Sequence, residues 1–211
     1  MKGLLLTLGA VALISFVAAP TLGAGLVWDA GNGLGLVAMG GLVYLVASSS
    51  AASGIDLRAH QVFGYVVLAI ATVHAFWFFL LDPVMLTYIQ PGAPLYMWIG
   101  CAGFLLLVAM MIIGMPQYRL RLHRRYATFR YWHRVLAVAT IVAAAWHILG
   151  SGFYFSAWYQ GLLLVALAVA VCIGERSWFR GAAITNSTST VLVVTAIALA
   201  ATFALVRNLP V

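Results

Sequence analysis

Most of this chain consists of apolar runs that are long enough to cross a membrane and are separated by short polar breaks. A helix needs about 20 predominantly apolar residues to span a bilayer. The composition agrees, since 65% of the residues are hydrophobic and only 7% are charged. We therefore predict an all-α integral membrane protein, a single domain over residues 1–211, built as a bundle of six to seven transmembrane helices. The predicted spans are residues 3–20, 33–50, 59–81, 95–115, 129–150, 157–174 and 188–206.

The breaks between spans carry the residues that end or begin helices. We predict a loop over residues 23–33, with Asp29 as its only charge. Asp82 and Pro83 should end the third span, because proline cannot continue the helical hydrogen-bond ladder. The polar tract 185–190 is expected to form the entry and N-cap of the last span.

The first predicted span has two interpretations. Lys2 precedes its apolar run, and small residues follow near Ala18 and Ala24, which is a pattern that signal peptides share. We favour a retained helix. Cleavage would leave the orientation of all later spans unchanged.

Lysine and arginine concentrate at alternate ends of the predicted spans, and the more basic loops of a membrane protein face the cytoplasm. Assigning the basic connection between spans four and five to the cytoplasm leaves only Arg207 outside. We therefore predict a multi-pass protein of the cytoplasmic (inner) membrane, with its N-terminus inside and its C-terminus outside. The net charge of +7 then reflects topology and not a nucleic-acid partner. The inner cations are Lys2, Arg58, Arg119, Arg121, Arg124, Arg125, Arg130, Arg134, Arg176 and Arg180.

Four of the five histidines form two pairs with the same spacing of 14 positions: His60 and His74 in span three, His133 and His147 in span five. At about 100° and 1.5 Å per residue, both histidines of a span share one face and lie about 21 Å apart. Two such helices side by side place four imidazoles in two facing pairs, which suits the axial positions of two haem irons. A histidine can instead hydrogen-bond a neighbouring helix. We favour haem ligation, because intramembrane ionisable groups are usually functional.

The predicted topology decides which histidines face each other. Spans three and five both run from inside to outside, so His60 pairs with His133 at an inner haem and His74 with His147 at an outer haem. No Cys-x-x-Cys-His sequence is present, which indicates two non-covalent b-type haems. The two cysteines lie in separate spans and are interpreted as small core residues.

Two stretches resemble a known family. Residues 58–74, which begin Arg-Ala-His, and residues 131–147, which begin Tyr-Trp-His-Arg and end Trp-His, are similar to the ferric reductase-like transmembrane domain. That family includes ferric reductases, NADPH oxidases and the haem subunit of the bacterial methionine sulfoxide reductase system. The resemblance covers residues 3–174 as a haem core and leaves 188–206 as an extra C-terminal helix. It implies that the family's haem ligands are His60, His74, His133 and His147.

Two arginines close to the inner ligands have two interpretations. Arg58 and Arg134 each lie within two positions of an inner histidine, and guanidinium groups bind the carboxylates of haem propionates well. The alternative is that they contribute only to topology and to contacts with anionic lipid. His123, in the basic loop, is interpreted as a solvated residue, and otherwise as a spare ligand or partner contact. Phe76 and Trp146 belong to the interfacial aromatic belt, or else pack on the outer haem.

The leading functional hypothesis is a diheme cytochrome b that carries electrons across the membrane. The donor would be a cytosolic flavin reductase or quinol, and the acceptor an outer-face oxidant or a periplasmic partner protein. The family's cytosolic flavin and nicotinamide domains are absent from this sequence, so a flavin would come with a partner. A second hypothesis is a haem membrane anchor that feeds one dedicated periplasmic reductase, and a third is a haem sensor or haem-handling protein. We assign no catalytic residue.

Overall fold

The computed structural model describes residues 7–10, 25–51, 57–115, 117–118, 121, 125–155, 157–173 and 184–208, and within these ranges it contains helices and no strand. A 3₁₀ helix, Pro83–Ile89, connects the second and third of the longer helices. The longer helices are α1 (Leu26–Ala51), α2 (Leu57–Leu81), α3 (Leu95–Gly114), α4 (Tyr126–Ser151), α5 (Trp158–Ile173) and α6 (Asn186–Asn208).

The prediction of an all-helical membrane protein is confirmed. Among the described residues, α1, α2, α3, α4 and α6 are long and apolar enough to cross a membrane, and α5 is a shorter apolar helix. Of the first predicted span, residues 3–20, only 7–10 are described, and these are helical. The total of six to seven spans therefore stays a prediction.

The predicted loop over residues 23–33 is wrong for most of its length, because α1 begins at Leu26. The charge of Asp29 made this stretch look like a loop. In the structure Asp29 is 0% exposed, and its Oδ1 lies 3.4 Å from Nε of Arg207 at the end of α6. The amide of Asn208 donates a 2.8 Å hydrogen bond to the other carboxylate oxygen. A paired carboxylate tolerates burial that an isolated one does not, so the helix extends through this stretch.

The predicted helix breaks lie where the local chemistry indicates. α2 ends at Leu81, and Oδ1 of Asp82 accepts a 2.9 Å hydrogen bond from the amide of Val84 at the start of the 3₁₀ helix. At the entry to α6, the amide of Thr185 donates to Oγ1 of Thr188 at 2.9 Å. Both contacts satisfy backbone donors that the helices themselves leave without partners.

Helix α1 lies at the centre of the described bundle and packs against α2, α4, α5 and α6. Its close approach to α6 depends on Gly33, because a Cβ added there would lie 2.7 Å from Cα of Ala200. Small residues permit such close helix packing in membranes. The largest fully buried side chains, which define the core, include Met39, Val43 and Tyr44 on α1, Phe63 and Val67 on α2, Ile141 on α4, Leu164 on α5, and Leu192 and Phe203 on α6.

The two histidine helices, α2 and α4, are bridged by their neighbours. Among the described elements, each of them packs against both α1 and α3, while their backbones make little contact with one another. The space between α2 and α4 is therefore bounded on two sides by helices, and it is this space that the histidines face.

The ion pair between Asp29 and Arg207 gives a test of how α6 is attached to α1. We expect Arg207→Gln to lower the free energy of unfolding by about 3 kcal/mol, because it leaves the Asp29 carboxylate buried without its cation. The double variant Asp29→Asn with Arg207→Gln should recover most of that loss, since no charge is then left uncompensated. Thermal unfolding of the purified proteins in detergent measures both. Equal stability of the single variant and the unaltered protein would contradict this account of the α1–α6 contact.

Candidate functional site

The structure brings the four histidines of α2 and α4 together as two pairs with the same separation. The ring centroids of His60 and His133 are 6.4 Å apart, with 60° between the ring planes. Those of His74 and His147 are also 6.4 Å apart, with 73° between the planes. α2 and α4 therefore run in the same direction and in register. We call these the 60/133 pair and the 74/147 pair.

A separation of 6.4 Å suits a shared metal ion better than a direct contact. A bond from a metal to an imidazole nitrogen is about 2 Å long, and the ring centre lies roughly 1 Å beyond that nitrogen, so two imidazoles on opposite sides of one metal have centroids about 6 Å apart. Imidazoles that hydrogen-bond each other directly would have to lie closer together. The separation of 6.4 Å in both pairs thus fits two histidines that share one metal ion.

In the 74/147 pair, hydrogen bonds fix the orientation of both rings. Nδ1 of His74 donates to the carbonyl of Gly31 on α1 at 2.8 Å, and Nδ1 of His147 donates to the carbonyl of Tyr96 on α3 at 3.0 Å. A carbonyl only accepts, so each Nδ1 carries the proton and each Nε2 keeps a free lone pair. Donation by the second ring nitrogen is the usual support of a metal-binding histidine.

These two bonds mean that the simpler interpretation of a membrane histidine, a hydrogen bond to a neighbouring helix, also holds for His74 and His147. It accounts for one nitrogen of each ring. The second nitrogen is the one that a ligand between α2 and α4 would use.

The 60/133 pair lacks this support among the described residues. Nδ1 of His60 and Nδ1 of His133 are both buried and have no hydrogen-bond partner there. The ring of Phe129 packs 5.3 Å from that of His133, so the neighbourhood is aromatic and apolar. Buried nitrogens without partners are costly, so Nδ1 of each ring is open to a partner that the described residues do not supply.

A cavity of about 390 Å³ surrounds the 74/147 pair. It is lined by α1, α2, α3, α4, the 3₁₀ helix and the connection after α4, and its wall is mainly apolar and aromatic. That character suits a large, flat, apolar cofactor. Its lining includes Trp28, Asn32, Phe78, Tyr96, Phe104, Thr140 and Tyr154.

Two glycines lie against the histidine rings of this pair, where a side chain would overlap them. A Cβ added at Gly100 on α3 would lie 2.5 Å from Nδ1 of His147, and one added at Gly35 on α1 would lie 2.8 Å from Cε1 of His74. Neither glycine was predicted as a site residue. The sequence signal that points to them is the glycine recurrence in apolar helices, Gly31 with Gly35 and Gly100 with Gly103, which marks close approach of another chain segment.

Tyr154 is a third residue that was not predicted as a site residue. It lies in the connection between α4 and α5, is 4% exposed, and lines the cavity beside His74. Burial raises the pKa of its hydroxyl, and the positive charge of Arg207 opposes that shift. The phenol therefore stays protonated at neutral pH and is available as a hydrogen-bond donor.

The remaining residues that the sequence analysis named are two arginines, two aromatic residues and the loop histidine. Arg58, the second residue of α2, and Arg134, the ninth residue of α4, are both exposed, and each lies within two positions of a histidine of the 60/133 pair. Phe76 is 55% exposed and also lines the cavity, whereas Trp146 is 53% exposed and is not among the lining residues. His123, Arg119 and Arg124 lie outside the described residues.

No cluster of three or more histidine, cysteine, aspartate or glutamate side chains that could hold a bare metal ion occurs in the described part of the chain. Paired histidines supply only two ligands. A macrocycle that brings its own equatorial nitrogens needs no more than that from the protein.

Comparison with protein families gives one match, to the model described as "Ferric reductase like transmembrane component", over residues 56–144. The matched region contains α2, α3 and most of α4, including His60, His74 and His133, and it stops three residues before His147. The resemblance seen in the sequence is thereby confirmed. Comparison with curated proteins and with solved structures gives no match.

Gly100 provides a test of the cavity geometry that does not require identification of its occupant. We expect Gly100→Ala to destabilise the protein by about 1–3 kcal/mol, because the new methyl group overlaps the His147 ring and breaks its bond to Tyr96. Gly114→Ala on the same helix is the control, since nothing lies within 4 Å of the added Cβ. Thermal unfolding in detergent and the absorbance of any copurified chromophore measure the effect. Similar behaviour of the two variants would contradict the placement of His147.

Proposed function

We propose that this chain, which contains the ferric reductase-like transmembrane component over residues 56–144, is a diheme cytochrome b that carries electrons across the cytoplasmic membrane. The donor is a cytosolic flavoprotein or quinol, and the acceptor lies at the outer face. The observation that carries the proposal is the pair of equal 6.4 Å separations between imidazoles on two parallel helices.

The four histidines would hold the haems as paired axial ligands, His60 with His133 and His74 with His147. Haem supplies a one-electron carrier when it is bound. The protein's own contribution is to orient the rings, as the Gly31 and Tyr96 carbonyls do for the 74/147 pair, and to surround the site with apolar groups. The surrounding low dielectric and the exclusion of water influence the redox potential of such a site.

The distance between the two pairs fits transfer across a membrane. The histidines of one helix are 14 residues apart, which corresponds to about 21 Å along the axis, against a hydrocarbon core of about 30 Å. Each pair would therefore lie towards one side of the bilayer. With the predicted orientation, the 60/133 pair is the inner site and the 74/147 pair the outer one.

Arg58 and Arg134 would bind the propionates of the inner haem in this proposal. Their exposure close to the 60/133 pair is compatible with that role, and equally with contacts to anionic lipid headgroups.

The direction of transfer follows from charge and chemistry. Reducing cofactors are made in the cytosol. An electron that moves outward leaves the negative side of the membrane, and this lowers its electrostatic free energy by about 2.3 kcal/mol per 100 mV. Transfer from the inner to the outer site is therefore favoured by the membrane potential.

The ligand assignment is tested by single substitutions. We expect two haems b per chain in the unaltered protein, with low-spin spectra, by the pyridine haemochrome assay. His60→Ala and His133→Ala should remove the same haem, and His74→Ala and His147→Ala the other. Gln61→Ala is the control, because the Gln61 amide donates to the hydroxyl of Tyr65 and not to the site. A stoichiometry of one, or different spectral losses for His60→Ala and His133→Ala, would overturn the assignment.

The direction of transfer is tested in proteoliposomes of known orientation. We expect a reductant on the side of the 60/133 pair to reduce an acceptor trapped on the other side. His74→Ala should abolish this transfer, by more than about tenfold, while the haem of the 60/133 pair stays reducible. Acceptor reduction that survives this substitution would show that electrons bypass the 74/147 site.

A further inference from the structure

The polar groups in the wall of the 74/147 cavity divide into those with partners and those without. Thr140 Oγ1 donates to the carbonyl of Leu136 at 2.8 Å, and Ser151 Oγ donates to that of Ile148 at 2.9 Å. These two hydroxyls therefore have internal partners within α4. Nδ1 of each histidine is engaged as described above.

Of the buried polar side chains in the wall, Tyr154 and Asn32 remain. Both line the cavity, and they are only 4% and 5% exposed, yet neither makes a hydrogen bond with any described residue. Buried polar side chains in native proteins nearly always have a partner. Two such groups in one otherwise apolar wall therefore indicate that the partner is part of the bound molecule.

The position of Tyr154 places its hydroxyl beside the imidazole of His74. The Cβ position built on Gly35 lies 2.9 Å from the Tyr154 hydroxyl oxygen and 2.8 Å from Cε1 of His74, so both atoms border the same small space. Asn32 precedes Gly35 by three positions on α1 and so lies on the same face of that helix. The two donors thus occupy one end of the cavity, close to one histidine.

Two charged side chains lie near this end of the cavity and pair with each other. Arg207 interacts electrostatically with Tyr154, and one of its guanidinium nitrogens donates a short hydrogen bond to the carbonyl of Phe153. The Asp29 carboxylate pairs with Arg207 and balances its charge. A phenol and an amide beside an arginine are donors suited to a carboxylate.

We propose that Tyr154 and Asn32 form a carboxylate-binding end of the 74/147 site. The carboxylate comes either from a propionate of the haem held there or from the molecule that is reduced at this face. This inference rests on the proposed function, since it takes the 74/147 pair to be a haem site.

The test compares Tyr154→Phe with the unaltered full-length protein and with Tyr159→Phe. Tyr159 is 42% exposed on α5 and is not among the cavity-lining residues, so it is a matched control. Potentiometric titration gives the midpoint of each haem in detergent. Steady-state kinetics with ferric citrate, which has carboxylates, and with ferricyanide, which has none, give the KM for each acceptor. Asn32→Leu removes the second donor at similar volume and should repeat the result.

The two sources of carboxylate predict different results. If the carboxylate is a haem propionate, Tyr154→Phe lowers the midpoint potential of the haem of the 74/147 pair, because the negative charge of the propionate is less stabilised. Loss of that haem from the protein is the stronger form of the same result. The midpoint potential of the other haem is unchanged. If the carboxylate belongs to the acceptor, both midpoints stay constant and the KM for ferric citrate rises about tenfold, while that for ferricyanide does not.

Wild-type midpoints together with wild-type KM values in Tyr154→Phe and in Asn32→Leu would overturn the inference. Equal effects in Tyr159→Phe would overturn it as well. Absence of two haems from the unaltered protein would instead overturn the proposed function, so the two failures are distinguishable.

Discussion

The structure depends on the cost of leaving a polar atom without a partner in an apolar environment. Each imidazole of the 74/147 pair meets that constraint on one side with a backbone carbonyl, from Gly31 or Tyr96. The second nitrogen of each ring makes no hydrogen bond with a described residue. A separation of 6.4 Å between ring centroids fits two histidines that share one metal ion, and the two pairs have the same value. The proposed cofactor would be the partner of the second nitrogen in each ring.

Helices outside the family match contribute much of the 74/147 site. The match covers residues 56–144, yet α1 supplies the Gly31 carbonyl, the space at Gly35 and the Asn32 side chain. α1 is in turn held by α6 through the buried pair of Asp29 and Arg207. α6 is therefore an integral part of the packing, in contact with α1 and α2, and not a peripheral addition.

The two histidine pairs share a separation but differ in their surroundings. The 74/147 rings are oriented by backbone acceptors, whereas the Nδ1 atoms of the 60/133 rings have no hydrogen-bond partner among the described residues. A hydrogen bond to the second ring nitrogen raises the basicity of a metal-binding histidine and fixes its tautomer. The two sites are therefore chemically inequivalent, although the 14-residue spacing that places them is the same on both helices.

The sequence by itself determined the helical membrane class, the ends of α2 and α6, and which histidines share a helix face. These follow from hydropathy, helix-ending residues and helical period, which are all local properties. Contacts between residues far apart in the sequence were decided only by the tertiary structure. It showed that α1 begins at Leu26, because the partner that permits burial of Asp29 is Arg207, nearly the whole chain away. It also placed Tyr154, Asn32 and Gly100 around the 74/147 pair, because those positions result from how separate helices and loops pack in space.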